Sequence, residues 1–186
     1  MKNVATITML ALLSYTGNSY AQAKWYTRSG TISLFSETSA ENIDANNNEV
    51  FSLLDQQKNE LAFQVLVTGF KFKKALMQEH FNENYMESSK FPKASFQGKI
   101  ADPSRVDFNK DGSYNVDIAG NLTMHGVTKP VTIPAVIRIA DKKVSGESKF
   151  DVKLADYKIK VPTVVSQQVS ETVSVTVNCR YEPYTR

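Results

Sequence analysis

The chain has 186 residues, and 22 basic residues against 19 acidic ones leave a formal charge of +3. The charges are interspersed, with no basic block that would mark a nucleic-acid partner. One cysteine, Cys179, forbids an intrachain disulfide, so the core must stand on packing alone.

The first 23 residues read as a secretory signal. Lys2 supplies the charge, Met9 to Leu13 form the dense part of a short apolar run, and Ala21-Gln22-Ala23 follows as an A-x-A cleavage pattern. The alternative is an N-terminal anchor or a buried strand. Cleavage after Ala23 would leave residues 24–186 as one exported domain, periplasmic or secreted, with no apolar run long enough for a membrane span. Cys179 shares its strand parity with Val173, Val175 and Val177 and reads as a buried thiol. The other reading is an intermolecular bridge, which leaves a homodimer open.

Most of the remaining chain alternates with period two. Leu61, Phe63, Val65 and Val67 form one apolar set, and Ala94, Phe96, Gly98 and Ile100 the next. Tyr114 to Met124, Val131 to Ile139, Val144 to Val152 and Val173 to Tyr181 follow. One wet and one apolar face per strand suits antiparallel pairing. Turn signals fall at Asp55 to Asn59, Asn109-Lys110-Asp111-Gly112 and Asp141 to Lys143. Asp111-Gly112 is read as a tight hairpin. Lys153 to Gln168 alternates poorly and is read as a longer crossing loop. The expected fold is all-β, an antiparallel sandwich or barrel of about eight strands.

Residues 75–86, "ALMQEHFNENYM", break the period and predict one amphipathic helix covering the sheet. At 100° per residue Leu76, Met77, Phe81 and Tyr85 share one stripe, with His80 and Asn84 inside it. The stripe is expected to face the barrel. The other histidine, His125, lies in "GNLTMHGVTKPVTIP" (120–134) and precedes Gly126. A primed hairpin turn needs positive φ at both central residues, and histidine tolerates it, so His125 is read as a turn residue. On that reading His125→Asn leaves the fold unchanged. Pro130 and Pro134 argue for an edge or irregular start to the following strand.

No metal-ligand spacing, nucleophile elbow or phosphate loop occurs, so neither a cofactor, a metal nor a catalytic set is assigned. The chain contains 10 Phe and 8 Tyr, many on the apolar parities. A closed barrel of about eight strands can hold one small ligand, or its aromatics can fill it. Both remain open on pattern alone.

The stretches 75–100, 120–134 and "SKFDVKLADYKI" (148–159) resemble the YceI-like family of exported bacterial proteins, over nearly the whole chain from Trp25 onward. The resemblance implies a lipocalin-like barrel that binds a long isoprenoid lipid and is no enzyme. The cavity lining it suggests is Phe63, Val65, Leu76, His80, Phe81, Asn84, Tyr85, Phe96, Ile118, Leu122 and Phe150. Other readings are an enzyme or stress-response protein acting on such a lipid, and a structural β protein with a filled core. Two departures from the family pattern bear on the ligand. The first-strand region "KWYTRSGTISLFSE" lacks the Asp and His of many members, and Lys158 stands where a glycine is usual. They imply a different ligand or a shallower cavity.

Overall fold

The computed structural model describes residues 24–37, 42–161 and 170–184. The expected signal peptide and residues 162–168 of the crossing loop lie outside the described residues. Among the described residues nine strands occur in chain order: β1 (Lys24–Ser36), β2 (Ile43–Asp55), β3 (Glu60–Leu66), β4 (Lys71–Phe72), β5 (Lys93–Ile100), β6 (Gly112–Met124), β7 (Val127–Ala140), β8 (Lys143–Lys153) and β9 (Thr172–Pro183). Helix α1 (Ala75–His80) runs on into a π-turn, Phe81–Tyr85, between β4 and β5. The sheet order is β1-β9-β8-β7-β6-β5-β3-β2-β4, and an antiparallel β1–β2 pairing closes it. Eight long strands therefore form a closed barrel, and the two-residue β4 hangs on β2. Among the described residues closure pairs each long strand on both sides over at least part of its length.

The two strands that sequence alternation missed are the two longest early ones, and the reason is local. In β1 the buried residues are Trp25 and Thr27, then Gly30, so the inward parity flips. In β2 the flip falls between Asn47 and Val50. The register shifts between Thr27 and Gly30 and again between Gly30 and Ile32. A bulge adds one residue to a strand and exchanges its faces, which erases a simple period of two. Asn47, only 1% exposed, satisfies the disturbed backbone: its Nδ2 donates to the Leu66 carbonyl at 3.1 Å and its Oδ1 accepts from Glu49 N–H at 2.8 Å.

Two further expectations change. Asp111-Gly112 is no two-residue hairpin. Strand β5 ends at Ile100 and β6 begins at Gly112, and a short 3₁₀ turn, Pro103–Arg105, breaks the loop between them. The helical stripe is also displaced. The half-buried and buried positions are Met77, Gln78, Phe81, Asn82, Tyr85 and Met86. They recur about every four residues rather than 3.6, because the second half of the segment is wound as a π-turn. Leu76 and Asn84 face solvent, Leu76 being 61% exposed.

The prolines behave as edge residues. Strand β7 pairs with β6 over its whole length, but with β8 only from Ala135 onward. Pro130 and Pro134 thus lie in the half of β7 that lacks a ladder partner on the β8 side. The seam between β7 and β8 is splayed there, and side chains close it.

Candidate functional site: an apolar cavity inside the barrel

The inward faces of the strands enclose a cavity of about 560 Å³. Phe63 and Val65 of β3 and Phe96 of β5 form one wall. Ile118 and Leu122 of β6 and Phe150 of β8 form another. His80, Phe81 and Tyr85 reach it from the helical segment, although His80 is otherwise exposed. Leu76 and Asn84, expected in the lining, are exposed and stand off the wall. Phe81 is set by its neighbours: its ring centroid lies 5.6 Å from Phe70 and 4.9 Å from Phe72. Gln78 holds the segment to β4, its Oε1 accepting from Phe72 N–H at 3.3 Å.

Ala135 and Ile137 of β7 and Cys179 and Tyr181 of β9 also line the cavity, as do Ile32 and Leu34 of β1, which sequence reasoning did not single out. The β7 and β9 residues lie on the apolar parities of their strands and carried that signal. The β1 pair was hidden by the bulge.

The cavity has two unlike ends. Trp25, Ile100, Val106, Val116 and Ile139 are buried in one packed cluster with lining residues such as Leu54, Phe96 and Tyr181, but do not themselves line the cavity, and they plug one end of the barrel. The helical segment, Ile43 and Ile159 lie toward the other end, which forms the mouth. Among the described lining residues there is no Lys or Arg. Glu147, at the wall, is paired with Arg138. The cavity therefore suits an apolar and largely uncharged guest.

Cys179 is 4% exposed, and burial pushes its thiol up to about 11. A thiol-bridged homodimer would have to open β9 to reach this sulfur. At pH 8 a thiol with that value holds about 100-fold less thiolate than an ordinary one near 9. Iodoacetamide is expected to alkylate Cys179 of the folded protein about 100-fold more slowly than that of the denatured chain. Equal rates would show that the sulfur is open to solvent. The same shift has a pH consequence. Because the folded value is raised above the unfolded one, the neutral thiol supports the fold fully below pH 9 and loses that support as pH climbs through about 11.

His125 is a turn residue, but more than a turn residue. Its φ of 50° and the 71° of Gly126 make the primed hairpin between β6 and β7. Its side chain is nevertheless only 9% exposed. Nδ1 bonds the Tyr157 carbonyl at 2.9 Å, Nε2 meets Glu87 Oε1 at 3.1 Å, and the ring packs edge-on to Phe91 at 4.9 Å. Both partners are acceptors, so each contact is made where the facing ring nitrogen donates. Beside it, Lys129 Nζ pairs with Asp156 Oδ1 at 2.8 Å. These contacts stitch the hairpin and β7 to the segment after β8, across the splayed seam. Lys158, at φ 58°, takes up the left-handed conformation that explains why a glycine is usual there.

The chain matches the YceI-like domain profile over residues 15–181. It belongs to the YceI-like family. Protein YceI of Shigella flexneri is 34% identical over 99 residues, 50% of this chain and 48% of that protein. This chain thus aligns with about half the length of such curated relatives. Two solved structures share the fold. A polyisoprenoid binding domain from Saccharophagus degradans, implicated in plant cell wall breakdown, superposes with a TM-score of 0.73 at 13% identity, covering 88% of this chain and all 100% of that one. BcnA of Burkholderia cenocepacia superposes with a TM-score of 0.67 at 15% identity, over 82% of this chain and 96% of its own. The lipocalin-like barrel of the YceI-like family is thus the fold of this chain. Among the described residues no helix is long and apolar enough to cross a membrane.

Proposed function

We propose that this member of the YceI-like family is an exported binding protein that holds a long apolar lipid, an isoprenoid, inside its barrel as a carrier or store. The observation that carries the reading is the cavity of about 560 Å³, walled by apolar side chains and plugged at one end. At roughly 30 Å³ per water-sized group it takes on the order of twenty methylene-sized groups. Burying that many yields roughly 16 kcal/mol gross at ~0.8 each. Loss of translational and conformational freedom removes a large part of this, and the remainder still gives useful affinity without an ion pair. The polyisoprenoid-binding description of the Saccharophagus neighbour supports the same ligand class. Binding rather than catalysis fits a wall whose one acidic group is already paired with an arginine.

Export is part of the proposal. Ala21-Gln22-Ala23 ends immediately before Lys24, where β1 begins and where the Lys24 carbonyl already accepts from Tyr184 N–H at 2.9 Å. A signal peptidase cut there would release the barrel without trimming it.

Native mass spectrometry of protein purified from the periplasm of its own host tests both parts. The expected spectrum has a polypeptide mass beginning at Lys24 and an additional hydrophobic mass that organic solvent strips off. A polypeptide mass beginning at Met1 contradicts export. A clean apo mass from unstripped protein favours a structural role instead.

A further inference from the structure

We propose that the plugged end of the cavity is a polar subsite in which Tyr181, held by Ser52, receives an uncharged oxygen at the head of the bound lipid. This rests on the lipid-binding reading above, and adds the orientation and head-group class of the guest. Tyr181 lines the cavity and is 7% exposed, and its hydroxyl lies 2.9 Å from the Ser52 hydroxyl. Ser52 is 0% exposed and lies behind the lining. The bond runs from β9 to β2 across β1, where Thr27, opposite Ser52 in register, is also buried.

Two buried hydroxyls here need an explanation. The other inward residues on the same two strands include Val50, Leu54, Val175, Val177 and Cys179, and apolar side chains would fill the same places. Burying a hydroxyl is costly unless its hydrogen-bonding capacity is used. The Tyr181–Ser52 bond uses one of the two hydroxyl protons, and either atom can be the donor. The remaining polar neighbour of the Tyr181 hydroxyl is the Cys179 thiol, a weak partner. If Ser52 donates, Tyr181 has a proton for a carbonyl oxygen. If Tyr181 donates to Ser52, its own oxygen accepts from an alcohol. The pair therefore reads either kind of neutral oxygen by reversing one bond.

Charge excludes the other head groups from this end. The described lining residues include no Lys or Arg, and a phosphate carried to the plug would be stripped of water with no cation to meet it. A neutral head goes in first and the tail extends toward the mouth. A charged head stays at the mouth, where its affinity is indifferent to Tyr181.

The test compares three lipids of one tail length: geranylgeraniol, the hydrocarbon with hydrogen in place of its hydroxyl, and geranylgeranyl diphosphate. Each is delivered from cyclodextrin to delipidated wild type, Tyr181→Phe and Ser52→Ala, and each variant's melting curve confirms folding. Wild type is expected to bind the alcohol about tenfold more tightly than the hydrocarbon, the value of one good buried hydrogen bond. Tyr181→Phe keeps the ring and should bring that ratio to about one, leaving hydrocarbon and diphosphate affinities within twofold. Ser52→Ala should lower the ratio part-way. A merely structural bond between β2 and β9 would move melting temperature but not the ratio. An unchanged ratio in both variants overturns the subsite. So does equal binding of alcohol and hydrocarbon by wild type, which leaves the lipid-binding reading standing. Failure of wild type to bind any of the three overturns both.

Discussion

Ala135→Trp is expected to abolish lipid binding and leave the barrel folded. Ala135 sits on the inward parity of β7, between Ile133 and Ile137, and its methyl borders the cavity. An indole there projects into space that the protein does not fill, so the usual strain of overpacking a dense core is relieved. It would displace roughly five methylene-sized groups of ligand, a loss of about 4 kcal/mol at ~0.8 each, or on the order of 1,000-fold in affinity. Titration calorimetry with geranylgeraniol measures this directly. Melting temperature should hold or rise, because the indole buries apolar area that water or ligand otherwise meets. Wild-type affinity in a folded Ala135→Trp protein would mean that the lipid binds elsewhere.

His125→Asn should destabilise the protein, in contrast to the expectation drawn from its turn position. Asparagine accepts the φ of 50° but is too short to reach both the Tyr157 carbonyl and Glu87. The lost bond to the carbonyl and the lost packing on Phe91 together cost about 2 kcal/mol. For a domain of this size that is a fall of roughly 4–8 °C in melting temperature. The Glu87 link adds a pH signature. The bond from His125 holds the Glu87 carboxyl below its ordinary 4.5, with the Lys90 charge helping. Its contribution is therefore present above that value and lost as pH falls through the lowered one. Glu87→Gln should melt below wild type at pH 6 and converge with it toward pH 3. A constant gap across that range would remove the ion pair from the account, and an unchanged melting temperature in His125→Asn would remove the latch.

The barrel was legible in the sequence where strands keep one parity from end to end, as β3, β5, β6, β8 and β9 do. It was illegible in β1 and β2, where bulges at Gly30 and near Asn47 exchange the faces midway. The helix was legible as a segment but not in its facing. The stripe read from the sequence includes Leu76, His80 and Asn84, whereas the less exposed positions are Met77, Gln78, Phe81, Asn82, Tyr85 and Met86, the later ones set by the longer repeat of the π-turn. His125 shows a third limit. Its turn conformation follows from two adjacent residues, but its hydrogen-bond partners are 32 and 38 positions away. The polar pair of Tyr181 and Ser52, separated by 129 positions, is unreadable for the same reason.

The central claim is that the lipid lies inside the barrel. Nuclear Overhauser contacts between unlabelled geranylgeraniol and protein carrying ¹³C-labelled Ile, Leu and Val methyl groups test it most directly. Contacts are expected from the lipid to Ile118, Leu122, Ile137 and Val175, which line the cavity from different strands. Contacts confined to the exposed Leu76 and Leu66, with none to those four, would place the lipid on the outside of the protein and contradict the account.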